Sequence, residues 1–570
     1  MRSVDWAVLI ITLGYIILYG LWRSRGTTST QGYLLAGRSM PWYAMALSIM
    51  ATQASAITFI STTGQAYVDG MRFVQFYFGL PLAMILISAV AVPIYRRANV
   101  YTAYEYLEQR FDLKTRTLVS FVFLIQRGLA VGIALYAPAV VLTVIFGWSD
   151  RWTTVLMGLT VIVYTVMGGI KAVTWTDVQQ MTVMVFGLAV SAFMAVTLLP
   201  SNVSFSDAIH LAGAAGRINP VTFHFDWNDR YNLFSGLLGG MFLALAYFGC
   251  DQSQVQRYLT GASVTQSRLS LLFNAAAKIP MQFCILFTGA LVFVFFTFEQ
   301  PPFLFQKVEL KKIQETAQYA PLQQRYDQAF EKRKQAALSF TEARKSGDGA
   351  LSEAKAAEYR ASQKQLDAVR KDGAALVEQV NGKKGFNDTN YVFLTFVTKY
   401  LPPGLVGLVI AVIFGAAMST SSGEINSLAT VTVIDVYKRH FRPEASDQHY
   451  LWVSRVATAF WGVYAVFSAE LGKNIGSLVE AVNMLGSLFY GGILGVFVLA
   501  MFFKKVNGHG AFFGVLIGEA VIFAVHFAEI TSFLWYNVIG CITVIIAGVL
   551  VSAATGGQDL RGSSTGTPVL

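Results

Sequence analysis

Apolar residues run through this chain in blocks of about twenty, the length at which a helix crosses ~30 Å of hydrocarbon. The pattern predicts about thirteen spans, at roughly 4–22, 41–67, 74–95, 117–146, 152–169, 174–199, 233–250, 268–298, 404–437, 451–471, 475–503, 509–530 and 533–553. The first block has no basic stretch before it and no convincing cleavage site after it, so it reads as a retained helix rather than a signal peptide.

The block at 41–67 is long enough to span, yet its middle, Ala51-Thr52-Gln53-Ala54-Ser55-Ala56, is small and polar. A continuous lipid-facing helix gains nothing from Gln53 there. Unwinding at mid-membrane would free carbonyls and hydroxyls to hold a dehydrated cation or a polar solute. Close helix packing through small residues accounts for the segment equally well.

Between the blocks, basic residues fall on alternate loops. Arg23, Arg25 and Arg38 precede the second span, and Arg96, Arg97, Arg110, Lys114 and Arg116 precede the fourth. Lys438, Arg439, Arg442 and Arg455 flank the loop before the tenth, and Lys504 and Lys505 follow the eleventh. The positive-inside rule makes that side cytoplasmic, with the N-terminus outside and the C-terminus inside a plasma (cell inner) membrane. One stretch, 303–388, breaks the apolar pattern: it is rich in Lys, Glu, Gln and Ala. Two helix-favouring halves flank Lys345-Ser346-Gly347-Asp348-Gly349, which predicts an outer helical hairpin, either a solvated appendage or a docking arm for an outer-face protein partner. The tail 556–570 is Gly/Ser/Thr-rich and reads as disordered.

Composition agrees with a polytopic membrane protein: 54% apolar, 13% charged, mean hydropathy +0.51. The net charge of +10 needs no nucleic acid to explain it, because membrane-protein loops are basic. Cys250, Cys284 and Cys541 have neither metal spacing nor a disulfide framework.

Ionisable residues deep in apolar spans are functional candidates, since a charge at the bilayer centre costs at least about 2.5–3.5 kcal/mol. Arg127 and Lys278 both fall near mid-membrane and must face the bundle or water, as structural pairs or as contacts to a solute. The span 404–437 carries the densest polar patch, Gly415 to Glu424. Hydroxyls of Ser419, Thr420 and Ser422, with the Ala416 carbonyl, offer hard oxygens at low site charge, suited to a monovalent cation. Asp177 could lend a carboxylate or simply cap its helix.

With these residues in place, the chain from 32 to 514, apart from the charged insertion, resembles the sodium/solute symporter family, whose members carry sugars, sialic acid, monocarboxylates, vitamins, proline or iodide. YLLAGRSMPW at 33–42, GGIKAVTWTDVQQ at 168–180, AAMSTSSGEINS at 416–427 and GGILGVFVLAMFFKK at 491–505 carry the resemblance. TAYEYLEQRF at 102–111 and YAPA at 136–139 are similar to the branch of monocarboxylate, multivitamin and iodide carriers.

The resemblance implies an all-α polytopic membrane protein with the LeuT-type 5+5 inverted repeat. Residues 1–40 would be an extra N-terminal helix and loop, 41–199 the first repeat, 200–232 an outer loop, and 233–503 the second repeat. The insertion at 303–388 interrupts that second repeat; 504–555 would be two extra helices. The main sodium site would use the carbonyls of Ala51, Ala54 and Ala416 and the hydroxyls of Ser419 and Thr420. Some members hold a second sodium; Asp177 and Ser422 match that pattern, but Gly423 stands where another serine would be.

For the solute, Ser55, Thr58, Gln75 and Arg127 match positions of sialic-acid members, with the arginine meeting a carboxylate. Lys278 and Tyr247 match sugar members, and Asn483 falls where those use a glutamine; Gln53 lies on the same broken segment. However, Ala244 and Tyr77 replace an asparagine and a glutamate of sugar carriers. The implied activity is sodium-coupled import of a small organic solute by alternating access, a carboxylate ahead of a sugar.

A membrane enzyme is disfavoured because His210, His224, His440, His449 and His509 fall in or beside loops and His526 late in its span. A transporter-derived sensor is disfavoured because only a short tail follows residue 553.

Overall fold

The computed structural model describes residues 2–146, 150–469 and 477–556, and every regular element among them is helical. The ends of predicted spans at 470–471 and 475–476, and the tail beyond Gly556, lie outside the described residues. The first half contains α1 (Ser3–Arg23), α2 (Trp42–Gln53), α3 (Thr58–Asp69), α4 (Met71–Ala98), α5 (Ala103–Arg110), α6 (Leu113–Phe146), α7 (Asp150–Thr197) and α8 (Phe205–Ala214). Then come α9 (Ser235–Gly249), α10 (Gln252–Leu259), α11 (Val264–Phe298), α12 (Lys307–Gln314), α13 (Tyr319–Lys345), α14 (Gly349–Asn381) and α15 (Thr389–Tyr400). The chain closes with α16 (Leu405–Phe441), α17 (Asp447–Ser468), α18 (Leu478–Phe502), α19 (Gly508–Phe527) and α20 (Phe533–Ala554).

Nine described helices are long and apolar enough to cross a membrane, and ten if the bent pair α2–α3 is one span. Three features separate that count from the thirteen apolar blocks. Blocks 152–169 and 174–199 both lie in α7, which folds sharply at Gly169 (φ 56°, ψ −156°). Glycine is required there on two grounds: the backbone is in a region closed to side chains, and a Cβ would sit 2.4 Å from the Tyr33 carbonyl oxygen. Block 233–250 is the short apolar helix α9, which stops at Cys250 and resumes as the polar α10. Block 451–471 is α17, which begins with the polar run Asp447-Gln448-His449 and carries Arg455.

At the centre stands α16, buried without interruption from Val409 to Val431. By contrast α1, α19 and α20 expose rows of large apolar side chains, Ile10, Ile11 and Leu18 on α1 and Ile542, Ile546 and Leu550 on α20. Such rows suit a lipid surface, where no water is available to penalise them. The two kinds of surface place the chemistry: polar groups near α16 are shut inside the bundle.

The basic loops meet at one end. Arg110 donates to the Phe503 and Lys504 carbonyls at 2.9 and 3.0 Å, and Arg439 pairs with Glu108 at 2.5 Å. Arg116 reaches both Glu108 and Asp435 at 2.7 Å. Thr30 N–H, just before Gln31, donates to Asp447 at 3.1 Å, so the first loop joins the same end.

The charged insertion sits at the other end. Its two long helices, α13 and α14, turn at Ser346-Gly347-Asp348 and run antiparallel, with Arg325 opposite Asp372 and Arg333 opposite Gln363. It is docked rather than free-standing. Arg333, 1% exposed, donates to the Phe296 carbonyl, one of the last four of α11 that have no helical partner. Tyr326 caps the Pro301 carbonyl at 3.0 Å, and Asp388 accepts from Phe305 N–H at 2.7 Å and pairs with Arg370 at 3.2 Å. Tyr67, near the end of α3, packs edge-on against Phe293, Phe296 and Phe305. The far end of the hairpin is clasped as well: Arg344 and Lys345 both pair with Asp207 of α8.

Asp207 is a charge-dependent latch. Burial works against its ionised form, but hydrogen bonds from Arg344, from the Ser204 N–H and hydroxyl, and from Lys345 outweigh that and hold its carboxyl well below the usual carboxylate range. A depressed carboxyl stabilises the folded state above its unfolded value of about 4, and the contribution fades as pH falls below that value through the folded one. Hydrogen–deuterium exchange across residues 340–352 should therefore stay slow from pH 7 to about 4 in the wild type. Asp207→Asn should raise exchange there already at pH 7; unchanged exchange would show that the clasp contributes nothing.

Candidate functional site

Two helix breaks face α16. At the first, α2 ends with Ala54 outside helical geometry (φ −88°, ψ 66°), and α3 leaves at 60° to α2. Breaking a helix frees carbonyls that a low-dielectric interior requires to be paired. Thr420 of α16 supplies one partner: its hydroxyl lies 3.0 Å from the Thr52 carbonyl and 3.2 Å from that of Ala416 on its own helix. Thr58 lies 3.3 Å from the Gln53 carbonyl, and Ser55 accepts from Thr58 N–H at 2.9 Å through its own carbonyl. Ala51, Ala54 and Ala416 are fully buried around this point, so small side chains bring backbone oxygens of α2 and α16 close together. The Gln53 Oε1 atom is buried with no hydrogen-bond partner among the described residues.

One turn away, Ser419 donates to Asp177 Oδ1 of α7 at 2.5 Å. The other oxygen, Oδ2, accepts from Ser48 at 2.5 Å and from the Arg257 guanidinium at 2.8 Å. Asp177 therefore joins α2, α7, α10 and α16 rather than capping a helix. Ser422 turns back onto the Ser419 carbonyl at 3.1 Å.

The second break, between α9 and α10, is built by Asp251. Its carboxylate caps α10 by accepting from Ser253 N–H at 2.8 Å. It also pairs with Arg127 of α6, whose other nitrogen meets Glu424 of α16 at 2.7 Å; Tyr490 of α18 accepts from Arg127 at 2.7 Å. Tyr247 lies under the guanidinium, 5.6 Å from its carbon to the ring centre, and accepts from Gln254 across the break at 2.7 Å. Here the structure differs from the reading of Arg127 as an open fork for a solute carboxylate: two of the chain's own carboxylates already hold it.

Lys278 of α11 is different again. It is fully buried, its Nζ has no hydrogen-bond partner among the described residues, and the Tyr77 ring lies 5.0 Å away. Gln282, one helical turn on, also has both amide atoms buried without partners. Among the described residues, the other buried Lys and Arg side chains are all engaged: Arg116, Arg127 and Arg257 with carboxylates, Arg333 with an amide and a carbonyl.

Two expected solute contacts are used elsewhere. Gln75 donates to the Tyr231 carbonyl at 2.8 Å and accepts from Thr222 N–H at 2.8 Å, so its amide ties α4 to the outer loop. Asn483 donates to the Val479 carbonyl of its own helix at 2.7 Å. Ser48, Asp251, Arg257, Glu424 and Tyr490 were not singled out from the sequence. One signal was available: the polar run Asp251-Gln252-Ser253-Gln254 directly follows an apolar span; in the structure every residue of α10 is buried.

The profile of the Sodium:solute symporter family matches residues 33–310 and 374–518, leaving out most of the α13–α14 hairpin. The chain is 25% identical to the sodium-coupled monocarboxylate transporter 2 of Mus musculus, over 97% of this chain and 83% of that protein. It is 27% identical to the sodium/glucose cotransporter of Vibrio parahaemolyticus (90% and 83%) and 26% identical to the sodium/sialic acid symporter of Proteus mirabilis (96% and 95%). A solved substrate-bound, outward-open sodium-coupled sialic acid symporter superposes with a TM-score of 0.76 at 24% identity, covering 98% of this chain and 100% of that one.

The chain belongs to the sodium:solute symporter family. It is a sodium-coupled solute symporter, not an enzyme, and sodium is its co-substrate.

Removing one partner of a buried ion pair strands the other charge, typically at a cost of about 3–5 kcal/mol. Glu424→Ala should therefore lower the thermal unfolding midpoint of the purified protein by several degrees, and Glu424→Gln, which keeps a hydrogen-bond acceptor, by less. Equal midpoints for wild type and Glu424→Ala would mean that Asp251 alone neutralises Arg127.

Proposed function

We propose that this symporter imports a small organic carboxylate, with one sodium bound where the α2–α3 break meets α16. The observation that carries the solute class is Lys278: a fully buried amine with neither an ion-pair partner nor a hydrogen-bond acceptor among the described residues. An unpaired charge in such a place is costly. A solute carboxylate supplies the missing counter-charge, and Gln282 and the Tyr77 ring would flank it. Gln53, Ser55, Thr58 and Tyr247 contribute the polar and aromatic rim, and Arg127 acts through its pairing rather than as an open fork.

Sodium fits the oxygens of Ala51, Ala54, Ala416, Ser419 and Thr420, all hard and uncharged. Ser419 donates its proton to Asp177, so its lone pairs are what it offers a cation. Gathering of the basic loops at the end away from the hairpin supports an inward cytoplasmic face there, with the hairpin outside. A tenfold sodium gradient provides about 1.4 kcal/mol, and 100 mV adds about 2.3 kcal/mol per net charge moved, enough for import with either a neutral or an anionic solute.

A sugar is the second reading. It gains from the internal neutralisation of Arg127, which leaves that residue no vacant carboxylate position.

Proteoliposomes with an inward sodium gradient decide between them. Labelled lactate or N-acetylneuraminate should accumulate in sodium but not in potassium, and Lys278→Met should reduce that uptake at least tenfold. Replacing Ser419 and Thr420 together by Ala should raise the sodium concentration needed for half-maximal uptake. Sodium-driven uptake of glucose alone, insensitive to Lys278→Met, would overturn the carboxylate reading.

A further inference from the structure

Beside the proposed sodium position lies a second cluster of oxygens, made by Asp177, Ser48 and Ser419, with the Ser422 hydroxyl donating to the Ser419 carbonyl. One carboxylate and several hydroxyls, wholly buried, would ordinarily hold a monovalent cation. We propose that the cation of this cluster is the Arg257 guanidinium, built into the chain, so that the cluster takes no sodium and the carrier moves one sodium per cycle. The inference rests on the sodium position proposed above, and its test separates the two.

Three observations converge. The guanidinium is 1% exposed and donates through one nitrogen to both Asp177, at 2.8 Å, and Ser48, at 2.6 Å. Its second terminal nitrogen occupies space that only glycine leaves open: a Cβ on Gly423 would lie 2.0 Å from it. A side chain at 423, serine included, would require the guanidinium end of Arg257 to move from this position. Gly423 and Arg257 therefore form one device, in which the missing side chain on α16 makes room for the cation on α10.

Chemistry makes the substitution permanent. Arginine stays protonated at any physiological pH, so the charge it brings to Asp177 does not come and go with the transport cycle. A sodium ion could enter only by expelling the guanidinium, leaving it buried without its partner, and the pairing resists that exchange. Asp177 is thereby removed from ion coupling and assigned to positioning: it anchors the helix after the second break and fixes which way the Ser419 hydroxyl points. With a single coupling ion, accumulation of a monoanion depends on the sodium gradient alone, about tenfold for a tenfold gradient, because the charges cancel.

Equilibrium binding of radioactive sodium to the purified full-length protein tests the proposal without knowledge of the solute. Wild type should saturate at one sodium per protein, without cooperativity. The double variant Arg257→Ala/Gly423→Ser removes the tethered charge and adds an oxygen, so it should bind one sodium more than wild type; adding Asp177→Asn should abolish that gain. Two sodium ions on the wild type would overturn the proposal, as would a folded double variant with no gain. Should the double variant fail to fold, the wild-type count decides alone. A wild type that binds none would overturn the sodium position at the α2–α3 break, while a gain of one in the double variant would still uphold Arg257 as the cluster's cation.

Discussion

Charges buried in the middle of apolar helices must be neutralised by groups from other helices or by a bound solute, because neither lipid nor water is there to do it. That constraint organises this protein. Arg127 draws α6, the start of α10, α16 and α18 to one point through Asp251, Glu424 and Tyr490. Arg257 draws α2, α7, α10 and α16 to another through Asp177, Ser48 and Ser419. Both points involve α16 and the segment after the second break. The result is a core in which α10 cannot shift without disturbing two ion pairs, and such paired elements with alternative arrangements are what alternating access requires.

The helix breaks make the same demand of the backbone. The Thr52 carbonyl freed by the end of α2 finds the Thr420 hydroxyl, and the freed start of α10 finds the Asp251 carboxylate. In each case a side chain replaces the helical partner that the break removes. The small residues around them, Ala51, Ala54 and Ala416, are what allow α2 and α16 to approach closely enough. Outside the bundle the hairpin obeys the same logic, with Arg333 satisfying a terminal carbonyl of α11. Its docking joins α8, α11 and the segments flanking α13 and α14 on the face away from the basic loops, and aromatic contacts extend that joint to Tyr67 on α3.

Much of the architecture was legible in the sequence because hydrophobic block length is a direct physical requirement of a bilayer. The break at 51–56 was legible only as one of two readings, because small polar residues at mid-span suit close helix packing equally well. Individual motifs such as the one containing Asp177 indicated the family. Partner identity was not legible. Whether Arg127 meets a solute or Glu424, and whether Asp177 caps a helix or meets Arg257, depends on contacts between residues separated in sequence by 297 and 80 positions. Hydropathy and spacing carry no information about such pairs. Gly423 was visible as a departure from the pattern, but its meaning appears only once Arg257 is seen to fill the space.

Sodium binding at the junction of the broken helix and α16 is the central claim, and hydrogen–deuterium exchange in lipid nanodiscs tests it most directly. Exchange is compared in sodium and in equal potassium, without any solute. The account predicts slower exchange in sodium concentrated in residues 51–62 and 416–424, where bound sodium would fix freed carbonyls and the end of a broken helix. Identical exchange of those two segments in the two salts, for a protein shown to be folded, would contradict it.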